Sequence, residues 1–479
     1  MNQVPVELVE IVHAKAGSSS TAINRADDSR LDDTPQSQTR PWDAQSSVTG
    51  AEDPQSGIAE LPPGYQAWRF CFSALALEIL IWGWNYSYGV FQDYYLKHEP
   101  FNQAPVTLIS AIGTSSTAIQ YMESILIIAL CQRYPRLVKP AMWIALATCV
   151  LAMLISSFAT QVWQLVLLQG IVFGLAGGVL YVPIIMWLSE WFVERRGLAG
   201  GIIFGGSGIG GFVFPLLIGA CLNNVGYAWT IRIFAAVLGV GCSICLIGIN
   251  ARVPVRGVVA APRPQKSYVS ALRDLAKNPL ILWMGAANAV QALGYFPVSV
   301  FLLNYTSTVT SSPVSPTVAL ACFNAASVVC YVIFGRICDS YPYPAVMLFS
   351  GIGSALGAFL LWGFATNVGL VFAFAIVFGG LSGGFSGVWP ATATQIAGSN
   401  HEYISYAFGT FGLVKGLGAI VGPIIAAGLR DESKAASSSL YGAFGFRSME
   451  MFVGSMASAT AAFSVGVAIV SKSQRKKGN

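Results

Sequence analysis

GIVFGLAGGVLYVP, at residues 170–183, recurs in altered form as AIVFGGLSGGFSGVWP at residues 375–390. Both stretches are apolar and glycine-rich, both contain Ile-Val-Phe-Gly, and both close on a proline, at offsets of 205 to 207 positions. QRYP at 132–135 and DSYP at 339–342 are also 207 positions apart. A repeat at a nearly constant offset predicts two structurally similar halves.

The composition around this repeat is that of a membrane protein. Hydrophobic residues make up 54% of the 479 positions and charged residues 10%, whereas soluble domains carry roughly 25% charged residues. A membrane helix needs about 20 apolar residues, and twelve segments meet that length approximately. They lie near 68–93, 105–131, 139–158, 162–188, 197–221, 229–250, 278–303, 315–337, 345–364, 368–395, 404–429 and 448–470. The sequence predicts an all-α integral membrane protein with twelve transmembrane helices in two six-helix repeats.

The polar stretches divide the chain into five parts. The first 66 residues hold ten acidic and four basic residues and are typical of a disordered tail. The longest interruption between apolar segments carries six basic residues and one acid. The predicted parts are a cytosolic tail 1–66, a six-helix half 67–250, a cytosolic linker 251–277, a second six-helix half 278–470 and a basic cytosolic tail 471–479.

The distribution of Lys and Arg predicts the orientation, because cytosolic loops of membrane proteins are enriched in both residues. With the first tail and Lys415 set aside, 17 basic residues fall on one side of the predicted membrane and five on the other. The five are Lys97, Arg232, Arg430, Lys434 and Arg447. Both termini are therefore expected in the cytosol. The plasma membrane is the expected location, with a vacuolar or other organelle membrane as the alternative.

Several functional classes are disfavoured by motif content. The three histidines are scattered, and the nine cysteines sit in or beside apolar runs, where they pack as small residues. The GxGxxG at 206–211 lies inside an apolar segment with no preceding strand, so close helix packing explains it better than nucleotide binding. No Walker GxxxxGK[ST] sequence occurs. We expect no metal, no cofactor, no catalysis and no nucleic-acid partner.

Two stretches resemble the major facilitator superfamily and, within it, the monocarboxylate-porter family in its fungal form. They are WNYSYGVFQDYY at 84–95 and WFVERRGLAGGIIFGGSGIGG at 191–211, and GRICD at 335–339 is similar to the superfamily's Gly-Arg-Asp loop motif. The resemblance covers about residues 62–470 and implies the twelve-helix transporter fold. It also implies that helices one, four, seven and ten line the substrate pathway, and that Arg195, Arg196, Arg336 and Asp339 form cytosolic loop motifs. For the arginines, a role in topology alone is the alternative.

The chain departs from the proton–lactate members of that family. Those members carry a Lys late in the first span, where this chain has Asn85 and Tyr86. Their Asp and Arg in the eighth span correspond to Ser327 and Tyr331, and a Glu in the eleventh span corresponds to Lys415. The resemblance therefore implies a transporter that does not use the lactate mechanism.

Three charged residues, Glu78, Glu123 and Lys415, lie inside apolar segments. A charge at the centre of a membrane helix costs at least about 2.5–3.5 kcal/mol, so each needs a partner or a water-filled cavity. Counted along their helices at about 1.5 Å per residue, all three have similar depth. We predict an ion pair between Glu123 and Lys415 and a proton-coupling role for Glu78. The alternatives are that each charge occupies its own polar niche, or that Lys415 binds an anionic substrate.

A polar stripe marks the first span. Glu78, Trp82, Asn85, Gly89 and Gln92 follow one another at spacings of four, three, four and three, which is one helical face. Polar faces of membrane helices contact protein or water rather than lipid. The candidate pathway residues are Asn85, Tyr88, Tyr181, Asn288, Gln291, Tyr295, Asn324, Tyr331 and Trp389. For Ser327, Ser382 and Ser386, hydrogen bonding between helices is favoured instead.

These features predict a secondary active transporter of a small anionic or amphipathic organic molecule. Its partners would be that substrate, the lipid bilayer and, as a candidate coupling ion, the proton. Efflux of a secondary metabolite is favoured over uptake of a monocarboxylate or vitamin-like nutrient, and a transporter-fold nutrient sensor is the remaining alternative. The sequon at Asn304 is a candidate glycosylation site on the outer side.

Overall fold

The computed structural model describes residues 64–252, 268–312, 314–398, 401–434 and 440–478. Within these ranges the secondary structure is helical and contains no strand. Most of the predicted tail 1–66 and positions 253–267 of the predicted linker lie outside the described residues. In the rest of the linker, Tyr268–Ala276 forms a short helix. The domain limits stay a prediction.

The described residues contain ten helices long and apolar enough to cross a membrane. They are Tyr65–Lys97, Pro135–Ser156, Val162–Trp191, Arg196–Gly248, Pro279–Val309, Ser315–Cys338, Tyr343–Trp362, Val368–Ala397, Glu402–Leu429 and Arg447–Gln474.

Two local features relate these ten helices to twelve spans. The 53-residue helix Arg196–Gly248 is broken at Gly226, whose φ of 74° and ψ of 177° are not helical. Glycine adopts such a positive φ without strain, and the break separates the fifth span from the sixth. The second span consists of the consecutive helices Val106–Met122 and Ser124–Arg133, with Glu123 in a turn between them. The described helices thus provide twelve spans, six in each half.

The glycine-rich fifth span packs closely against the first. A Cβ atom at Gly210 would meet the Cα of Gly83 at 2.7 Å, and one at Gly206 would meet the carbonyl oxygen of Leu75 at 2.6 Å. Larger side chains at these positions would force the backbones apart. The GSGIGG stretch is therefore a packing surface, as predicted.

Two helix pairs join the halves, and both also depend on close approach. The fifth span contacts the eighth, where a Cβ at Gly208 would lie 2.8 Å from the carbonyl oxygen of Asn324. The second span contacts the eleventh, where the Ser124 hydroxyl donates to the carbonyl of Gly409 at 3.3 Å. These two seams are the surfaces along which the halves meet.

The tenth span is interrupted at its centre. Its α-helix Val368–Gly383 passes into a 3₁₀ segment, Gly384–Val388, before α-helix resumes at Trp389–Ala397. Irregular turns of this kind within a helix often mark functional positions. Here the interruption places Ser386 and Trp389 at the middle of the bundle, beside the eleventh span.

Candidate functional site

A cleft lies between the two halves, in the part of the bundle nearer the loop 98–105. From the first half it is lined by Asn85, Tyr86, Tyr88, Gly89, Gln92, Ser110, Gly113, Thr114 and Thr117. From the second half it is lined by Phe296, Ser299, Val300, Leu320 and Ala419. The lining mixes hydroxyl, amide and aromatic groups, which suits an amphipathic organic ligand.

The lining on the first half is held by hydrogen bonds. Asn85 Nδ2 donates to Gln120 Oε1 at 3.0 Å, and the Tyr88 hydroxyl donates to the carbonyl of Ile109 at 2.5 Å. The Tyr181 hydroxyl donates to the backbone carbonyl of Gln120 at 3.3 Å. Asn85 and Tyr88 thus lie at the cleft, whereas Tyr181 stands behind it.

The cleft wall on the second span was missed by sequence reasoning. Ser110, Thr114 and Thr117 line the cleft, and Tyr121 continues the same face into the centre of the bundle. Their spacing of four, three and four repeats that of the first-span stripe. That periodicity was the signal that could have identified them.

Lys415 lies in a cage of aromatic rings, deeper in the bundle than the cleft. Its side chain is 1% exposed, and its Nζ donates to the Ser386 hydroxyl at 2.5 Å. The Nζ lies 5.3 Å from the ring centroid of Trp389 and 5.7 Å from those of Tyr121 and Tyr295. Rings at this distance attract a cation through their quadrupoles. The predicted pathway residues Tyr295 and Trp389 therefore meet around this one ammonium group.

The predicted ion pair between Glu123 and Lys415 is not formed in this conformation. The carboxylate of Glu123 packs against Gly178 of the fourth span, while Lys415 turns to Ser386 of the tenth. Neither residue takes part in an ion pair among the residues that the structure describes. Depth along a helix fixes height in the membrane and leaves the direction of the side chain undetermined, so pairing of Glu123 with Lys415 in another state of the cycle stays a prediction.

Glu78 lies on the first span with 1% exposure. Its Cβ is packed against Gly206 of the fifth span, and its Oε1 has no hydrogen-bond partner among the described groups. Its role in proton coupling stays a prediction.

Two of the predicted amides hold helices together. Asn288 Nδ2 donates to the carbonyl of Phe411 at 2.8 Å. Gln291 Nε2 donates to the carbonyl of Ser382 at 2.8 Å and to its hydroxyl at 3.1 Å. Neither Asn288 nor Gln291 is among the residues that line the cleft. In this conformation both connect the seventh span to its neighbours.

Two predicted residues of the eighth span lie along the seam with the fifth span. Asn324 Nδ2 donates to the carbonyl of Gly211 at 3.0 Å. The carbonyl of Tyr331 faces Gly201, and the Tyr331 ring lies 6.4 Å from that of Phe204. Their backbone and polar groups stabilise the contact between the halves.

Hydrogen bonds between the halves close the end of the bundle opposite the cleft. We call it the gate end; it includes the loops 192–195 and 339–342. The carboxylate of Asp339 accepts hydrogen bonds from the backbone N–H groups of Gly197 at 2.7 Å and Leu198 at 2.9 Å. Arg196 donates from Nη1 to the Thr394 hydroxyl at 2.6 Å. Each contact joins a residue of the first half to one of the second.

The remaining loop arginines make no such contact. Arg195 and Arg336 are exposed at the gate end, which agrees with a role in topology. Arg196 is only 7% exposed and also donates to the carbonyls of Phe192 and Ser189. The loop motif thus separates into one buried arginine that joins the halves and two exposed ones. Asn304 is exposed on the seventh span, and its glycosylation stays a prediction.

Comparison with known proteins identifies the family. A family model described as Major Facilitator Superfamily matches residues 71–316, which is just over half of the chain. The chain belongs to the major facilitator superfamily and is an integral, multi-pass membrane transporter. Its assignment to the monocarboxylate-porter family stays a prediction.

Similar curated proteins come from fungi. The aspyridones efflux protein of Emericella nidulans is 26% identical over 417 residues, covering 87% of this chain and 80% of that protein. An MFS-type transporter of Aspergillus fumigatus is 25% identical over 444 residues, covering 88% and 95%. The fujikurins efflux protein of Gibberella fujikuroi is 28% identical over 349 residues, covering 70% of each chain.

Proposed function

We propose that the protein exports an amphipathic organic molecule, of the kind produced by secondary metabolism, and that it does so without a catalytic step. Two of the similar proteins are named as efflux proteins for such products. The cleft supports the proposal because it combines aromatic walls with hydroxyl and amide groups. It is also lined from both halves, which alternating access requires of a substrate site.

One observation carries the mechanism: the cleft and the gate contacts lie at opposite ends of the same interface. At the gate end, Asp339 and Arg196 hold the halves together. At the other end, the cleft lies between the two halves. Rocking of the halves about the central seams would break the gate contacts and close the cleft. The substrate would then meet the two sides of the membrane in turn.

The direction of this cycle follows from the proposed orientation. With 17 basic residues on the side of the gate end and five on the other, the gate end is proposed to be cytosolic. The cleft would then face outward, in the state from which an exporter releases its substrate. The plasma membrane is the proposed location.

Proton coupling through Glu78 is part of the proposal. Glu78 lies on a span that lines the cleft and packs against Gly206 of the fifth span, and its access to water is proposed to differ between the two states. A carboxylate whose access to water differs between two states can take up a proton in one and release it in the other. Export against a gradient would then be driven by proton entry.

Comparison of metabolites in a deletion strain tests the export function. We expect deletion of the gene in its native host to lower at least one organic product in the medium several-fold and to raise it inside the cells. Reintroduction of the gene should restore both levels. Unchanged profiles in both fractions would contradict export, and a product that rises in the medium would favour uptake.

A further inference from the structure

The ammonium group of Lys415 has more hydrogen-bonding capacity than the protein uses. A lysine ammonium carries three N–H donors, and among the described residues Nζ donates one hydrogen bond, to Ser386 at 2.5 Å. No carboxylate forms an ion pair with it within the described ranges. Ring faces attract the charge but do not neutralise it. The site therefore holds a buried lysine whose charged form would have its strongest partner in an anion, and the described residues supply none.

The rings around Lys415 come from both halves. Tyr121 belongs to the second span, whereas Tyr295 and Trp389 belong to the seventh and tenth. Movement of the halves would withdraw one wall of the cage and leave the other two in place. The cage is thus built so that access to the ammonium changes during the transport cycle.

The cage continues directly from the cleft. The hydroxyls of Tyr86 and Tyr121 are 3.5 Å apart, and the ring of Phe296 lies 6.2 Å from that of Tyr121. Tyr86 and Phe296 both line the cleft. Aromatic side chains therefore connect the lining of the cleft to the cage around Lys415.

From this geometry we propose that Lys415 binds the anionic group of a conjugated or aromatic organic acid, and that such acids are the substrate class of the transporter. The carboxylate or enolate oxygen of the substrate accepts hydrogen bonds from Nζ beside Ser386. Its flat body packs against the rings of Tyr295 and Trp389. This inference rests on the proposed function, because it assigns a substrate class to the same pathway.

Binding of a matched probe series to the purified full-length protein in lipid nanodiscs tests the assignment. The probes are radiolabelled 2-naphthoate, with unlabelled 2-naphthamide and decalin-2-carboxylate as competitors. The amide lacks the charge, and the saturated acid lacks the aromatic body. We expect 2-naphthoate to bind at least ten-fold more tightly than either competitor. Equal binding of the amide and the acid would overturn the proposal.

Variants assign the preference to individual residues. Lys415→Met should abolish the preference for the acid over the amide, whereas Lys415→Arg should keep it. Lys97→Met removes an exposed lysine paired with Asp93 and should change nothing. If Lys415→Met fails to fold, Trp389→Leu provides a second test, because it should remove the preference for the aromatic acid over the saturated one. A Lys415→Met protein that still prefers the acid would refute the role of the ammonium.

The two proposals can fail separately. Loss of export in the deletion strain with no anion preference in nanodiscs would retain the proposed function and overturn the substrate class. If the preference for the anion depends on Lys415 but deletion changes no exported product, the substrate class is retained and the proposed export function is overturned.

Discussion

The carboxylate of Asp339 lies 2.7 Å from the backbone nitrogen of Gly197, a residue 142 positions away on the opposite half. Its second oxygen accepts from the next backbone nitrogen at 2.9 Å. The first turn of a helix leaves such N–H groups without partners and carries a partial positive charge. Asp339 therefore caps the fifth span from outside it. This cap exists only while the gate end is closed, so it stabilises one state of the transporter.

Removal of this charge should shift the balance of states. Asp339→Asn weakens a cap and a charge–dipole interaction that together are worth about 1 kcal/mol, or roughly a five-fold change in the equilibrium constant between the two states. We expect the state with an open cleft to become less populated. Maleimide labelling of a Ser299→Cys reporter in nanodiscs should then slow, by up to about five-fold. Arg336→Gln is the control, because Arg336 is exposed on the same loop motif. Equal labelling rates in both variants would contradict the role of the cap.

The fifth and eighth spans approach each other closely near the gate end, so we expect a larger side chain there to be destabilising. A methyl group at Gly201 would collide with the carbonyl oxygen of Tyr331, and overpacking of this kind costs typically about 1–3 kcal/mol. Gly201→Ala should therefore lower the unfolding temperature or open the gate end. Gly285→Ala is a matched control within the seventh span, because a methyl there meets no described atom within 4 Å. That change should preserve or raise stability, by up to about 1 kcal/mol. If Gly201→Ala and Gly285→Ala are equally stable, the close contact between the fifth and eighth spans does not contribute to stability.

The fold could be predicted from the sequence because apolar length and an internal repeat are properties of the chain alone. The site was predicted less completely. The sequence identifies Asn85 and Tyr88, which line the cleft, but it treats Asn288 and Gln291 as pathway residues, whereas both bond to neighbouring helices. Polarity inside a membrane helix indicates a need for partners. Whether the partner is a helix or a substrate depends on helix rotation, which hydropathy does not specify.

Glu78 and Glu123 allow a controlled test of proton coupling. Glu78 packs against Gly206 of the fifth span, whereas Glu123 packs against Gly178 of the fourth. Glu78→Gln cannot exchange a proton, so the pH-driven accumulation ratio of the exported product in proteoliposomes should fall to about one. Exchange of labelled for unlabelled product should persist. Glu123→Gln should retain accumulation. Accumulation with unchanged pH dependence in Glu78→Gln would leave this carboxylate with a structural role only.

The orientation can be tested independently of transport. The bias of 17 basic residues to five predicts that both termini face the cytosol. Epitope tags at residues 1 and 479 should therefore resist protease added to intact cells and be cleaved after permeabilisation. Cleavage of both tags before permeabilisation would reverse the orientation and make the cleft face the cytosol.

Because Glu123 and Lys415 do not contact each other in this conformation, we expect substitutions of the two residues to act independently. Glu123 packs on Gly178, and Lys415 donates to Ser386, so neither charge neutralises the other in this conformation. Residues without a shared partner have additive effects within about 0.3–0.5 kcal/mol. The losses of thermal stability in Glu123→Gln and Lys415→Met should therefore add in the double variant. The charge exchange Glu123→Lys with Lys415→Glu should restore nothing, because each new charge would face an uncharged neighbour. Recovery of stability or transport by the exchange would instead show that the two residues pair in another state of the cycle, when the second and eleventh spans move relative to each other.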